Sequence, residues 1–200
     1  MELAEGLFAD KGFDGTSVRD ISQAAGVNLA MISYYFGSKE KLLSAIFEYR
    51  MEKASRELEN LSRESNISPL RKIYTFIDQY TERLFANRNY YKLMLRTQLK
   101  EIGNDELLER IFHAKKKNFD LISQFISQGQ KSGVFKKKID VSLMVSTLTG
   151  SSNQIIFNQH FYRIFHNLQS MPEEEFQQLL KKKLRLHLKS MFKAILTNEA

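Results

Sequence analysis

The stretch that decides the fold runs from Asp20 to Leu43 and reads DISQAAGVNLAMISYYFGSKEKLL. It holds two short apolar-periodic runs separated by Gly26-Val27, and a new helix start follows Gly37. Two helices of about 7–8 residues joined by a glycine-containing turn form the helix-turn-helix pattern. Helices this short are unstable alone. We therefore expect both to pack against the helix before them and the helix after them.

Capping residues support this division. Thr16 or Ser17 can cap the first short helix, and Ser17 and Asp20 have the spacing of a capping box, with Asp in place of the usual Glu. Asn28 can cap the second helix, on which Ile32 is predicted to face the core.

The rest of the chain has the pattern of further amphipathic helices. It contains two prolines, and its apolar residues recur at spacings of three and four without sustained alternation. We therefore predict an all-α fold of about nine helices. After the opening region, helices are expected from Pro69 onwards, over 87–100, from 104 or 105 to 130, over 140–167 and over 173–196.

Composition narrows the class of protein. With 42% hydrophobic residues and 12% aromatic residues, the 200-residue chain has enough apolar material for a core. The absence of cysteine excludes disulfides and cysteine-based metal sites. No apolar run reaches the ~18 residues of a membrane span, so we expect a cytoplasmic protein without a membrane partner. The formal net charge is +7, but residues 1–50 carry five Lys and Arg against seven Asp and Glu.

The order of residues in the opening region is more specific than the helix spacing. From Leu7 to Leu43 it reads LFADKGFDGTSVRDISQAAGVNLAMISYYFGSKEKLL, which combines caps, turn glycines and core positions in one order. In this order the first 45 residues or so resemble the TetR family of bacterial transcriptional regulators. The remaining chain resembles the family only in its general plan.

The resemblance implies a domain organisation and a function. Residues 1–47 would form a three-helix helix-turn-helix DNA-binding domain, with the helix-turn-helix at 17–36. Residues 48–200 would form a larger helical domain for ligand binding and dimerisation. The protein is then expected to be a ligand-responsive repressor that binds a palindromic, double-stranded DNA operator as a homodimer, with a small and possibly apolar effector.

The resemblance also assigns DNA contacts. It places base reading at positions 29–31 and phosphate contacts at Tyr35 and Lys39, while the start of the supporting helix lies near the DNA backbone. Tyr34 is expected in the core. The predicted DNA-binding residues are Ser17, Arg19, Asn28, Leu29, Ala30, Met31, Ser33, Tyr35 and Lys39.

The sequence departs from the family pattern in two places. The family often has a basic or small polar residue near position 29 and a tyrosine at position 33, where this chain has Leu29 and Ser33. The reading surface is therefore apolar, and we expect Ala30 and Met31 to contact thymine methyl groups, with Arg19 as the guanine contact. The family also usually has about one more turn at the start of the first helix, often with a basic arm.

Large apolar residues are frequent between positions 69 and 132. They can be ordinary helical core, or some of them can line a pocket between bundle helices. A pocket of this composition would suit a fairly large apolar or amphipathic effector, with Gln79, Gln98, Asn153 and Gln154 as candidate polar anchors. The predicted ligand-binding residues are Phe76, Gln79, Tyr80, Tyr91, Met94, Phe119, Asn153 and Phe157.

Two C-terminal segments are candidates for the dimer interface, 140–167 and 173–196. Small residues between Ser142 and Ser152 would let two helices approach closely, and an apolar stripe follows in the last helix. Together they predict a two-helix face that doubles into a four-helix bundle. The alternative is that these residues pack inside one chain. The stripe consists of Phe176, Leu180, Leu184, Leu188 and Ile195.

Other classes of function find little support in the sequence. It contains no His-Glu-x-x-His motif, no glycine-rich phosphate loop and no Gly-x-Ser-x-Gly elbow. We therefore expect no metal, no cofactor and no enzymatic activity. The alternative to a regulator is a helical small-molecule or lipid-binding protein whose degenerate helix-turn-helix no longer binds DNA. The acidic opening region and the apolar reading surface keep that alternative open.

Overall fold

In the computed structural model, residues 1–99 and 103–198 are described, and they form ten α-helices and no β-strand. The predicted all-α fold is therefore confirmed. The helices are α1 (Glu2–Lys11), α2 (Val18–Ala25), α3 (Leu29–Phe36), α4 (Lys39–Arg63), α5 (Pro69–Ala86), α6 (Arg88–Gln98), α7 (Asp105–Lys131), α8 (Val141–Phe157), α9 (Gln159–Phe165) and α10 (Glu173–Leu196).

One predicted helix is divided in the structure. The segment 140–167 breaks at Asn158, whose φ of −113° and ψ of 31° are not helical, and this separates α8 from α9. The sequence carries no glycine or proline at this point, so start and stop signals did not reveal the break. The predicted helix 87–100 ends at Gln98, and Lys100 lies outside the described residues.

The chain forms two compact units. Unit 1 comprises residues 1–57 and 87–117, and unit 2 comprises residues 58–86 and 118–200. The domain boundary between residues 47 and 48 stays a prediction.

The core of unit 1 forms around two fully buried phenylalanines, Phe8 of α1 and Phe47 of α4. Ile21 of α2 and Ile32 of α3 belong to the same cluster, so the two short helices do pack on their neighbours as expected. Helices α6 and α7 complete the cluster with Tyr90, Leu93, Leu107 and Ile111. Burying each phenylalanine side chain contributes about 1.5–3 kcal/mol, and this stabilises helices that could not persist alone.

A buried ion pair fixes α1 on α4. The Arg50 guanidinium donates from Nε to Glu5 Oε2 at 2.9 Å and from Nη2 to Glu5 Oε1 at 3.3 Å. The side chains are only 11% and 7% exposed. Because two parallel hydrogen bonds define both distance and angle, this pair sets the position of α1 along α4.

Unit 2 is organised around α10. Its buried stripe consists of Phe176, Leu180, Leu184, Leu188, Phe192 and Leu196, and the helix packs mainly on α5 and also on α8. Ion pairs run along the border with α5, including Lys189 Nζ to Asp78 Oδ1 at 2.6 Å. The expectation that this stripe meets a second chain is therefore wrong, because it is buried within its own chain. Ile195 is half-buried and lies beside the stripe rather than in it.

The end of α7 depends on one glycine. After the helix, the N–H groups of Val134 and Phe135 both donate to the carbonyl oxygen of Gly129, each at 3.0 Å. The chain therefore folds back, and the buried Phe135 ring lies where a Cβ atom on Gly129 would stand.

Candidate functional site

Helix α2 begins at the capping box that the sequence predicts. Ser17 Oγ accepts from the N–H of Asp20 at 3.1 Å, and Asp20 Oδ2 accepts from the N–H of Ser17 at 2.8 Å. The Ser17 hydroxyl also donates to Asp20 Oδ2 at 2.6 Å. These hydrogen bonds, led by the one from the hydroxyl, hold the pKa of the Asp20 carboxyl below its usual value. The prediction that Thr16 or Ser17 caps this helix is resolved in favour of Ser17.

The turn between α2 and α3 is made by Gly26 and Asn28. Gly26 has a φ of 65°, the left-handed conformation that glycine adopts at little cost, and its N–H donates to Gln23 O at 3.2 Å. Asn28 Oδ1 accepts from the N–H of Ala30 at 2.9 Å and so caps α3. The helix-turn-helix is thus built from local hydrogen bonds at both ends of the turn.

Helix α3 presents most of its side chains to solvent. Ile32 is buried and Phe36 half-buried, while Leu29 is 43% exposed and Met31 is 45% exposed. Tyr34 is 83% exposed, so its predicted place in the core is wrong. It follows Ile32 by two residues, about 200° round the helix, and therefore points away from the core. The outward face of α3 is apolar and aromatic, as the sequence indicated.

Lys39 is engaged by the protein itself. Its ammonium donates to the carbonyl oxygens of Phe13 at 2.8 Å and Thr16 at 3.1 Å, and it lies 4.2 Å from the centroid of the Phe13 ring. It therefore ties the α1–α2 loop to the start of α4. One of its three N–H donors is left over, so the predicted phosphate contact stays a prediction. Residue types could not reveal this tie, because the partners of Lys39 are backbone atoms more than 20 residues away.

The nine predicted DNA-binding residues all lie in unit 1. Eight of them are exposed, and Lys39 is half-buried. The Arg19 guanidinium has no ion-pair partner within residues 1–99 and 103–198 and is exposed at the start of α2. The predicted DNA-binding residues therefore include the apolar side chains of α3 and one exposed cation without an ion-pair partner in the described residues, Arg19 of α2.

The predicted ligand-binding residues are divided between the units. Phe76, Gln79, Tyr80, Phe119, Asn153 and Phe157 belong to unit 2. Tyr91 and Met94 belong to unit 1, where both pack against its core. Six of the eight residues therefore belong to one unit and two to the other, and the role of each as a ligand contact stays a prediction.

Unit 2 contains buried polar atoms without partners. Within the described residues, Gln79 Oε1 and Ser152 Oγ are buried and have no hydrogen-bond partner. Ser152 lies on the inward face of α8 with Met144, Leu148 and Ile156, so its predicted place on a dimer surface is wrong. A buried polar group that lacks a partner in the protein requires an explanation such as a water or a ligand. The sequence predicts Gln79 as a polar anchor, whereas Ser152 is missed because it ends a run of small residues, Thr149 to Ser152, that is assigned to a dimer surface.

Among residues 1–99 and 103–198, no group of three or more histidine or acidic side chains is arranged to hold a metal ion. No helix in the same residues has both the length and the apolar character needed to cross a membrane.

Family models of known proteins match both the opening region and the rest of the chain. A family model described as "Bacterial regulatory proteins, tetR family" matches residues 1–46, and one described as "YsiA-like protein, C-terminal region" matches residues 47–196. The "Probable HTH-type transcriptional regulator YttP" of Bacillus subtilis is 47% identical over 68 residues, which cover 34% of this chain and 32% of that protein. The "Fatty acid metabolism regulator protein" of the same species is 25% identical over 157 residues, covering 78% of this chain and 79% of the relative.

The fold has solved counterparts. The crystal structure of the transcriptional regulator FadR from Bacillus subtilis in complex with stearoyl-CoA superposes with a TM-score of 0.65 at 22% identity. The alignment covers 94% of this chain and 95% of that one. At this level of identity the likeness concerns the fold.

Proposed function

The chain belongs to the TetR family of bacterial transcriptional regulators, and on that premise we propose that it represses transcription by binding a two-fold symmetric operator as a homodimer. It is a DNA-binding, ligand-responsive regulator, and the family consists of regulators rather than enzymes. A protein that acts on a bacterial operator works in the cytoplasm. The proposals below concern the DNA contacts, the dimer surface and the chemical class of the effector.

The observation that supports DNA reading is the outward face of α3. Its exposed side chains have no core to fill, although the helix is strongly apolar and is fixed at both ends by caps. The thymine methyl group is the apolar feature that the major groove displays. We therefore assign Ala30 and Met31 to thymine methyl contacts and Arg19 to a guanine contact, with Tyr35 near the phosphates.

Uracil substitution tests the thymine contacts. After the operator is selected from random DNA, each thymine is replaced by uracil, which removes one methyl group and leaves the hydrogen-bonding edges unchanged. Loss of one buried methyl contact costs about 0.8 kcal/mol, or roughly fourfold in affinity. Met31→Ser should abolish the difference between thymine and uracil at one position. A selection that recovers no thymine, or equal affinity for all uracil-substituted sites, would refute the assignment.

The dimer surface is expected on the outward faces of α8 and α10. Leu143 is 66% exposed and Leu186 is 59% exposed, and both are large apolar residues without a cover in their own chain. Gly150 lies two turns after Leu143, and a Cβ atom on it would meet nothing within 4 Å. Small and apolar exposed positions on two neighbouring helices suit close packing of a second copy. Two recognition helices about 34–36 Å apart would then reach successive major grooves.

Sedimentation velocity tests this surface. The chain should sediment as a dimer at micromolar concentration, and Leu186→Glu should shift it to a monomer. Leu99→Glu is the matched control, since Leu99 is 61% exposed but lies in neither helix. A monomeric wild-type chain, or a Leu186→Glu variant that remains dimeric, would refute the proposed surface.

The effector is proposed to be a long-chain acyl thioester of coenzyme A. The relative with 25% identity is named a fatty acid metabolism regulator, and the similar FadR structure contains stearoyl-CoA. The apolar residues predicted for the ligand site suit an acyl chain. Gln79 Oε1 is buried and unpartnered within the described residues, and Gln79 belongs to α5, as do Phe76 and Tyr80. It provides a polar group that a bound ligand could satisfy.

Operator release tests this effector. Stearoyl-CoA should release the operator at concentrations where coenzyme A and stearate alone do not. Gln79→Leu should weaken the response to stearoyl-CoA by about tenfold, as expected for loss of one buried hydrogen bond. Gln178→Leu, at an exposed position of unit 2, should leave the response unchanged. Equal release by all three compounds, or by none, would refute this effector class while leaving DNA binding intact.

The alternative of a ligand-binding protein with a degenerate DNA-binding region is not favoured. Family models match both regions of the chain, and α2 and α3 retain their caps and turn geometry. A salt-dependent gel shift on the selected operator separates the two functions, because specific DNA binding weakens steeply with salt.

A further inference from the structure

An apolar cavity of about 230 Å³, about half open to solvent, lies in unit 1 against α3. Its walls come from the first turn of α1, the end of α2, helix α3 and the start of α4. Ile21, Ile32 and Leu42 form its buried floor, and Leu3, Met31 and Tyr35 belong to its exposed rim. The cavity therefore extends from the core of unit 1 to the surface that carries the predicted DNA contacts.

The lining defines the chemistry of a ligand. Every lining side chain is apolar except that of Tyr35, and no lysine, arginine, histidine or acidic residue contributes. The buried floor offers neither water nor a partner to a charged group, so this part of the site suits an uncharged molecule. Empty apolar cavities of about 150 Å³ stay dry and bind benzene. A cavity of 230 Å³ has room for a molecule with two fused rings or a short branched alkyl chain.

The same lining connects the cavity to DNA reading. Met31 is 45% exposed and Tyr35 is 68% exposed, and both belong to the predicted contact set as well as to the rim. A molecule in the cavity gains dispersion contacts with whichever rim side chains close over it. Side chains held over the cavity are no longer available to the major groove.

We propose that this cavity is a second ligand site, within the DNA-binding region, for a small uncharged apolar molecule, and that its occupancy weakens operator binding. The ligand site itself stands independently, whereas the effect on the operator rests on the proposed DNA-binding function. This site differs from the effector site in chemistry, because it offers no polar anchor for a coenzyme A thioester. Binding here would act directly on α3 and would require no signal from unit 2.

Indole is a suitable probe, since it has two fused rings, is uncharged and dissolves in water. The chain contains no tryptophan, so the blue shift of indole fluorescence on entering an apolar site can be read without background. Methyl NMR identifies the location: the signals of Ile21 and Ile32 should move, while that of Ile77, which is buried in unit 2, should not.

Two neighbouring alanines provide a matched pair of variants. Ala24 and Ala25 are both exposed on α2, but only Ala25 lines the cavity. Ala25→Leu should fill the space and abolish the shifts at Ile21 and Ile32, while Ala24→Leu should preserve them. Thermal unfolding of both variants verifies that each remains folded.

The operator assay completes the test. Saturating indole should weaken operator binding by about fivefold or more in the wild type and in Ala24→Leu, the low end of ordinary coupling between two sites. It should have no effect on Ala25→Leu. Indole shifts confined to Ile77, or equal shifts in both variants, would overturn the site. Shifts at Ile21 and Ile32 without any change in operator affinity would overturn the regulatory role alone. Failure of the uncomplexed protein to bind any operator would instead reject the proposed function.

Discussion

The two compact units treat buried polar groups in opposite ways. In unit 1, the described residues leave no buried side-chain polar atom without a hydrogen bond, and the buried Glu5 is held by two bonds from Arg50. In unit 2, Gln79 Oε1 and Ser152 Oγ are buried without a partner in the described part of the chain. In unit 1 the described buried side-chain polar atoms all have hydrogen-bond partners within the protein. Unit 2 has buried polar atoms to which a ligand or a water molecule could supply the missing hydrogen bond.

Paired and unpaired buried polar groups have different effects on a protein. A fully paired polar group specifies one arrangement of helices, since any other arrangement leaves a charge without a partner. An unpaired one destabilises the unoccupied protein by a small amount and makes binding more favourable when the missing partner arrives. The first suits a region that must present α3 in a fixed position, and the second suits a region that responds to a ligand.

The largest expected effect is on the buried ion pair of unit 1. Glu5→Ala leaves the Arg50 guanidinium buried without its main partner and should lower the free energy of unfolding by about 3–5 kcal/mol. Glu2→Ala is the control, because Glu2 is 85% exposed at 3.8 Å from Arg50 and should contribute less than about 1 kcal/mol. Urea unfolding measures both. Equal losses in the two variants would show that the buried pair does not organise unit 1.

The opposite sign is expected in unit 2. Gln79→Leu replaces a half-buried side chain, whose Oε1 atom is buried without a partner in the described residues, by an apolar one of similar size. It should raise the free energy of unfolding by about 1–2 kcal/mol in the absence of ligand. Urea unfolding again provides the measurement. A loss of stability would show that Gln79 is satisfied in the unliganded protein, and the contrast between the units would then disappear.

A smaller effect is expected at Lys39. Lys39→Met removes the donor to Phe13 O and Thr16 O and should cost about 1 kcal/mol of stability. Lys41→Met, at an exposed position two residues away, should cost less than about 0.5 kcal/mol. The salt dependence of operator binding then separates two roles. If Lys39 also contacts a phosphate, the slope of log affinity against log salt concentration falls by about 0.9 in Lys39→Met, whereas a purely internal role leaves the slope unchanged.

The smallest effect concerns the pH dependence of the α2 cap. The pKa of Asp20 is lower in the folded protein than in the unfolded chain, so the ionised carboxylate stabilises the fold. This contribution to the free energy of unfolding is complete above the unfolded-state pKa of about 3.9 and is lost as the pH falls through the folded-state pKa. Asp20→Asn should therefore show a smaller drop in melting temperature between pH 6 and pH 3 than the wild type. The effect is small because this carboxylate is on the surface. An identical drop in both proteins would contradict the assignment.

Features that depend on near neighbours in the sequence could be predicted. The Ser17–Asp20 box, the turn at Gly26 and the Asn28 cap each involve groups no more than four positions apart, and all are found in the structure. The outward face of α3 followed from the same local reasoning, apart from Tyr34. Tyr34 is expected in the core, but its angular position on the helix, about 200° from the buried Ile32, places it outside.

Features that depend on distant partners could not be predicted. The Glu5–Arg50 pair joins residues 45 positions apart, and Lys39 binds carbonyl groups that no residue type identifies. The stripe on α10 was recognised as apolar, but a sequence cannot say whether such a stripe meets its own chain or another one. For the same reason the sequence could not show that Tyr91 and Met94 pack on the core of unit 1, whereas the other six predicted ligand residues belong to unit 2.

The turn after α7 restricts how this sequence can diverge. Any replacement of Gly129 adds a Cβ atom in the place of the buried Phe135 ring, so a mutation at position 129 is acceptable only after a smaller residue has appeared at position 135. The smaller residue alone opens a void and is itself unfavourable. The two sites are therefore linked in evolutionary history, and descendants of this gene should either retain both residues or have exchanged them together.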